Sequence, residues 1–486
     1  MRGTFLIRAC NGCAARRLIL PRLINRQVLR HVSSNNTKEP ISPLTKHLID
    51  TIKISGPMSV AQYMRQALTH PSGGYYMRGD VFGTDGDFTT SPEISQMFGE
   101  IMAIWFITQY QSHNSPTSFQ VIELGPGRGT LMADLIRTFT QFPSLRTSLK
   151  SVHLVEASPA LRKHQAKILS LNSSKPTCDD NGTPVSMQRG DGVHVVWHDS
   201  LDEVPRDAWS MLVAHEFLDA MPIYKFELTQ NGWREILVDL DDAPSSPYHF
   251  RFITAPTQTK ASVTMLSHPQ FQPAHNPYTT TKTTSTSTDA ETKDEATYTY
   301  KLGDRVEIAP DGWGVARSIS QFISGTDATS SPASEAAVKK YPGGVGLICD
   351  YGNDWTEGDS LRAIKKHKHV HVLSTPGECD LSANVDFSLV KSAVDELASA
   401  HGPISQATFL RLLGITTRLQ KLLTVATSQE KRKELAQDYD RLVSKVGMGS
   451  VYKMLAVTPK GLAPPFPFIP MAEAKPVQTS EKSSEA

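Results

Sequence analysis

From Phe119 onward, short apolar runs of strand length alternate with stretches of helical spacing. The first run begins at Phe119 and ends Val121-Ile122-Glu123. Val152–Glu156 (VHLVE), Val193–His198 (VHVVWH), Met211–His215 (MLVAH) and Gly344–Asp350 (GVGLICD) follow. After the first run, Leu131 shares a helix face with Leu135, and Met132 with Ile136. This alternation predicts an α/β fold: a Rossmann-like, mostly parallel sheet with helices on both faces. Two helical stretches at about 405–425 and 428–446 precede a closing strand over Ser450–Val457. Phe226–Leu240 and His249–Thr254 read instead as antiparallel strands inserted in that scheme. Upstream, Thr90-Ser91-Pro92-Glu93 has the order of a helix start: hydroxyl cap, proline, then acid. Ile94, Met97, Phe98, Ile101, Met102 and Trp105 then recur at helical spacing and read as core.

Composition refines the boundaries. A chain of 486 residues, 39% of them hydrophobic, can bury a normal core in two or three domains. No run approaches the roughly 18 apolar residues of a membrane span, and the richest segment, Ile94–Tyr110, carries Glu100 and reads as amphipathic. The net charge of +1 conceals an asymmetry: residues 1–38 hold eight basic residues and no acid, so the rest of the chain sums to −7. An acidic body argues against nonspecific nucleic-acid binding. The basic segment, threaded with Leu6, Ile7, Leu18, Ile19, Leu20 and Leu23, has the composition of a mitochondrial transit peptide. Arg30-His31-Val32 before Ser33-Ser34 suits processing near Ser33; a basic tail without that role has the same composition. Expected boundaries are a transit peptide over 1–38, an N-terminal helical cap over 39–115, and the α/β domain over 116–460. Disordered inserts are expected at about 255–300 and 324–338, and a disordered tail over 461–486. Cys10 and Cys13 fall in the leader, and Cys178, Cys349 and Cys379 lack metal-ligand spacing, which suits a reduced intracellular protein.

The chemistry concentrates at strand ends, where open α/β sheets bind ligands. VIELGPGRGT places Glu123 before Gly125-Pro126-Gly127-Arg128-Gly129. A dinucleotide fingerprint needs a sixth-position glycine, and Thr130 stands there; no phosphate loop is present either. An acid followed by G-x-G-x-G is the pattern of S-adenosyl-L-methionine sites. That cofactor needs close backbone approach, which glycine permits, and carboxylates for its sulfonium and amino groups. Glu156 ends the second run, 27 residues after Gly129, placed to accept ribose hydroxyls. Asp191, His198 and Asp199 lie by the third run, where an adenine would rest, with Trp197 nearby or in the core. A purely structural turn fits the glycines alone less well once both acids are counted.

His215-Glu216-Phe217-Leu218-Asp219-Ala220-Met221-Pro222 begins like a zinc motif, but Asp219 occupies the fifth position and Pro222 breaks the helix. Zinc is rejected. Glu216 and Asp219 are instead suited to grip an arginine guanidinium in line with a methyl donor; capping the next turn is the alternative. Glu307, Asp350, Asp380 and Asp386 are weaker candidates. His367, His369 and His371 alternate as on a strand face, exposed or metal-binding. Gly73–Asp87, with Tyr75, Tyr76, Arg78 and Phe82, suits a loop closing over a ligand or a plain connector.

GYYMRGDVFGTDGDFTTSPEISQMFGE, VIELGPGRGTLMADLIR, HLVEASP, HEFLDAMPIYKF, CDYG and CDLSANVDF occur in this order. Together they resemble the MidA-like family of mitochondrial complex I assembly factors, over roughly Ile41 to Val457 outside the Thr-rich inserts. The resemblance implies a class I S-adenosyl-L-methionine-dependent protein arginine methyltransferase that symmetrically dimethylates a core complex I subunit in the mitochondrial matrix. It maps cofactor binding onto Glu123, Gly125, Pro126, Gly127 and Gly129, with Glu156 on the ribose. The family usually has asparagine where this chain has His215. A non-catalytic assembly chaperone that keeps the cofactor site is the competing reading; a nicotinamide oxidoreductase is disfavoured by Thr130.

Overall fold

Strand-forming runs rich in Val, Ile and Leu build a central sheet because both of its faces are covered. The computed structural model describes residues 38–77, 89–171, 174–267, 300–326 and 340–469. Nine strands form the central sheet's main path, in chain order: β1 (Phe119–Leu124), β2 (Leu149–Val155), β3 (Pro176–Cys178), β4 (Pro184–Gln188), β5 (His194–His198), β6 (Trp209–His215), β7 (Gly344–Asn353), β8 (Ala398–Ser405) and β9 (Tyr452–Pro459); the short strand Val385–Asp386 pairs with the end of β7. Their spatial order is β8-β9-β7-β6-β1-β2-β5-β4-β3. The five central strands, β7, β6, β1, β2 and β5, are parallel. The flanking strands run antiparallel.

The period-two alternation divides the core in two. Val121, Val152, Met211 and Leu347 face one layer; Ile122, Leu212 and Ile348 face the other. The helices that position the site are α1 (Pro43–Ser55), α2 (Val60–Thr69), α3 (Ser91–Ile94), α4 (Gln96–Ser112), α5 (Thr130–Phe139), α6 (Pro159–Leu169), α7 (Pro310–Ser324) and α8 (Phe387–Val394). α4 and α5 cover the first face, α7 and α8 the second.

α1 and α2 form a third core with a five-stranded sheet of Met58–Ser59, Tyr224–Thr229, Gly232–Leu240, Phe250–Thr254 and Arg305–Ile308. The expected antiparallel insert is therefore a sheet packed on the N-terminal helices. A small sheet of Arg362–Lys365, Lys368–Val370 and Asp380–Ser382 adjoins α2.

Several expectations change. Ser95, with an extended backbone, separates α3 from α4. α4 is not amphipathic: Met97, Phe98, Ile101, Met102, Trp105 and Phe106 bury most of its circumference in the sheet's own core, so it belongs there rather than to a cap. Its Glu100 is held by Arg418 Nε and Nη2 at 2.7 and 2.9 Å. The stretch 405–425 is two helices, α9 (Gln406–Leu412) and α10 (Ile415–Val425), broken where Gly414 takes φ 95°; α11 (Gln429–Val443) follows. The block expected as an insert from 255 contains a helix, Lys260–Ser267, against the antiparallel sheet, and α7 runs through Ser324. The expected tail is ordered at its start: Phe468 is buried beside Trp105 and Phe409, and Trp105 Nε1 donates to the Phe466 carbonyl at 3.0 Å. His367 sits in a left-handed turn (φ 59°) and His371 stacks on Tyr248 at 4.3 Å, so the three histidines share no face. Among the described residues, no helix is long and apolar enough to cross a membrane, and no cluster has the makings of a metal site. The leader, Arg78 and Phe82, and most of both inserts and the tail lie outside the described residues.

Candidate methyltransferase site

At the carboxyl end of β1 the chain turns into α5 through Gly125, Gly127 and Gly129, with φ of 63°, 51° and 86°. All three lie in the left-handed region that only glycine enters without strain. A Cβ on Gly125 would stand 2.6 Å from Phe217 Cδ2. The turn thus brings bare backbone to the rim of a cavity of about 490 Å³, within the size range of small-molecule sites.

Two acids face it from neighbouring strand ends. Glu123 is buried, and its Oε2 has no hydrogen-bond partner. Burial raises its carboxyl to about 8, eased by the Met132 backbone N–H and raised further by Glu156. Glu156 accepts from the Ser158 N–H at 2.8 Å and from Gln165 Nε2 at 3.1 Å; its burial lifts it to about 7. Gln165 ties the corner together, donating also to the Gly127 carbonyl at 2.7 Å and accepting from Trp197 Nε1 at 2.8 Å. Trp197 is therefore a core residue with a positioning contact. Asp199 lines the same cavity but is 74% exposed and ion-paired with Arg162. His198 is turned away, 2.9 Å from His153 Nδ1, and Asp191 pairs with Arg189 at 3.0 Å; neither lines the cavity.

The segment after β6, the strand beside β1, adjoins the glycine turn on the same cavity. Glu216 adopts φ 50°, an uncommon conformation for a residue with a Cβ. Asp350, on the adjacent strand β7 just past its last pair with β6, holds the residues that follow. Its Oδ2 accepts from the N–H groups of Phe217, Leu218 and Asp219 at 3.2, 2.9 and 3.3 Å. Three N–H groups of the turn thus share one carboxyl oxygen, while the Glu216 N–H donates to the Cys349 carbonyl at 2.9 Å. The Tyr452 hydroxyl and the Ser91 N–H lie close enough to favour the ionised Glu216, while its Oε1 is buried and unpartnered. Burial and nearby Asp219 push its carboxyl well above the usual range. Asp219 accepts from the Tyr351 hydroxyl, and Arg362 lies over the Tyr351 ring at 4.2 Å, its charge favouring the ionised Asp219. Asp380 accepts from the Tyr76 hydroxyl at 2.9 Å on the same cavity wall.

The structure therefore brings Glu123, Gly125, Pro126, Gly127, Glu156, Asp199, Glu216 and Asp219 around one cavity, whereas Gly129 does not line it and lies against Gln165. Glu307 and Asp386 lie outside it: Glu307 holds Lys225 at 3.1 Å, and Asp386 caps α8 through the Ser388 N–H at 2.9 Å. Tyr351, Tyr452 and Arg362 were missed, since nothing local marks them; Tyr351 sits in CDYG, and only the fold brings it to Asp219.

The sequence profile of the putative S-adenosyl-L-methionine-dependent methyltransferase family matches residues 101–404. Human and bovine proteins named mitochondrial protein arginine methyltransferase NDUFAF7 are 37% and 38% identical over 436 and 431 residues, spanning 88% of this chain and 87% and 85% of theirs. This chain belongs to that methyltransferase family. It is a methyltransferase, and its cofactor is S-adenosyl-L-methionine. The fold agrees: a likely methyl transferase from Burkholderia thailandensis, crystallised with S-adenosyl-homocysteine, superposes with a TM-score of 0.62 at 21% identity, over 87% of this chain and 95% of that one. The residues present suit the cofactor. An orphaned carboxylate oxygen, glycines at Gly125 and Gly127 that allow close backbone approach, and a second strand-end acid are what a cationic, ribose-bearing ligand requires.

Proposed function

We propose that this chain methylates arginine in a protein, and that the acceptor is a core subunit of respiratory complex I, symmetrically dimethylated in the mitochondrial matrix. The relatives' names support the protein-arginine acceptor and the mitochondrial setting. The family resemblance noted in the sequence supports the subunit, the matrix and the product. In this reading Glu123, Gly125, Pro126, Gly127 and Gly129 hold the cofactor, Glu156 takes its ribose, and Asp199 lies toward its adenine. When bound, S-adenosyl-L-methionine supplies an electrophilic methyl group and leaves as S-adenosylhomocysteine.

The observation that carries the reading is Glu216: a buried carboxylate in a left-handed backbone, with one oxygen unpartnered, in the cavity that Gly125 and Gly127 also line. A guanidinium is a strong match for such an acceptor. Glu216 holds an N–H of the substrate and receives the proton that its nitrogen sheds on becoming methylated. Asp219, already engaged by Tyr351, supplies charge rather than a free acceptor. Desolvation that raises Glu216 without substrate is offset once a cation enters.

The test is Glu216→Gln with tritiated S-adenosyl-L-methionine and isolated complex I core subunits. Methyl incorporation should fall by roughly 10²-fold or more, with S-adenosylhomocysteine affinity preserved. Undiminished transfer would remove Glu216 from the mechanism. A wild-type protein that binds cofactor and subunit but never transfers a methyl group would be a scaffold instead.

A further inference from the structure

His215 ends β6, immediately before Glu216, where its ring packs 5.2 Å from Phe98. Its Nε2 lies 3.4 Å from Glu216 Oε1. Both atoms are buried, neither has a hydrogen-bond partner, and both residues line the cavity. Native proteins leave few buried polar atoms unsatisfied, because each forfeits its hydration without return. Two such atoms side by side on one cavity wall mark a place built for a donor. Glu216 Oε1 can only accept while ionised, so a ligand that satisfies both atoms carries at least two N–H groups close together. A guanidinium does so on one edge.

We propose that His215 Nε2 is a second acceptor for the substrate guanidinium, taking one N–H while Glu216 Oε1 takes its neighbour. The inference rests on the assignment of Glu216 as the acid that holds the guanidinium. Burial lowers the imidazole to about 3, so the ring is neutral at working pH; with its one proton on Nδ1, Nε2 presents a lone pair. Neutrality matters here: an imidazolium would lose that lone pair and repel a cationic substrate. His215 acts by orienting the guanidinium; it accepts no proton in the transfer. Its neighbour on β7 in the sheet register is Cys349, whose carbonyl accepts from the Glu216 N–H at 2.9 Å, so strand pairing holds the backbone of both residues.

The experiment compares H215F, H215N and E216Q with the wild type, using tritiated S-adenosyl-L-methionine and isolated complex I core subunits, with calorimetry of S-adenosylhomocysteine on each variant. H215F keeps the ring packing and removes the acceptor. It should bind S-adenosylhomocysteine normally and lose about 30-fold in kcat/KM for the protein substrate, as for a hydrogen bond to a charged group. The loss should appear as a raised KM for the acceptor protein and not for the cofactor. H215N offers an amide oxygen at shorter reach and should stay within about threefold of wild type. Histidine ¹⁵N NMR of the substrate complex should show Nε2 unprotonated. H215F activity within about threefold of wild type, with E216Q inactive, would reduce His215 to packing and overturn the proposal. So would equal losses in H215N and H215F, or a protonated Nε2 in the complex. Should H215F fail to fold, H215L removes the same acceptor and is read by the same criteria. Full activity in E216Q would instead sink the Glu216 reading, an outcome separate from all of these.

Discussion

Replacing Gly125 with alanine tests whether the glycine turn and the Glu216 turn act as one unit. The backbone φ of 63° costs an L-residue about 1–2 kcal/mol. The new Cβ would also stand 2.6 Å from Phe217 Cδ2, where carbons normally sit about 3.5–4.0 Å apart. Relief requires a ring shift of roughly 1 Å, and overpacking of this kind costs about 1–3 kcal/mol. Phe217 directly follows Glu216, its own N–H is one of the three anchored on Asp350, and it lines the cavity. Gly125→Ala should therefore weaken S-adenosylhomocysteine binding by at least about tenfold and depress methyl transfer further. Gly192 supplies the control. It has φ 89° but nothing within 4 Å of its added Cβ, so Gly192→Ala carries the backbone strain without the clash and should leave binding unchanged. Adding Phe217→Ala to Gly125→Ala should recover part of the lost affinity, measured by titration calorimetry as a double-mutant cycle. Binding by Gly125→Ala within about twofold of wild type, or no recovery in the double mutant, would refute the coupling.

Asp350→Ala strips the acceptor from three buried N–H groups and should destabilise the fold by about 3 kcal/mol, lowering kcat more than cofactor affinity; equal losses in both would argue against a role in holding Glu216. Glu123 and Glu156, raised to about 8 and 7 from ordinary values of 4.5, keep protons that the unfolded chain gives up above about pH 5. Their contribution to stability is therefore lost as pH rises from about 5 to 8. A cationic ligand should draw those protons off, so calorimetry of S-adenosyl-L-methionine at pH 7 in buffers of different ionisation enthalpy should show proton release, reduced in Glu123→Gln; equal release in that variant would contradict the assignment. Phe468→Ala should cost about 3 kcal/mol by emptying the space beside Trp105 and Phe409, read as a lowered Tm; an unchanged Tm would mean that the segment is not structural.

The legible features were the ones written locally. Val121–Gly129 announces strand, acid and left-handed turn within ten residues, and Glu156 and Glu216 close apolar runs that can only be strand ends. What stayed hidden depends on distant segments meeting. Asp350 was one weak acid among four until β7 paired beside β6 and set it under the Phe217–Asp219 N–H groups. Tyr452 and Arg362 have no motif of their own, and reach the acids only through β9 and a small separate sheet. Asp199 was placed at the cavity but not its partner Arg162, which fixes its position. Helix continuity failed where a glycine, Gly414, could leave the right-handed region inside an otherwise periodic stretch. α4 showed an apolar stripe with one charge, and the sequence could not reveal that Arg418, over 300 residues away, would neutralise Glu100 in place.

The central claim is that arginine is methylated at the carboxylate of Glu216. It is tested most directly by mass spectrometry of complex I core subunits incubated with S-adenosyl-L-methionine and either wild-type protein or Glu216→Gln. Methylarginine that forms with the wild type and is lost with the variant, while both bind S-adenosylhomocysteine equally, is the expected result. Methylarginine formed equally by both would contradict it.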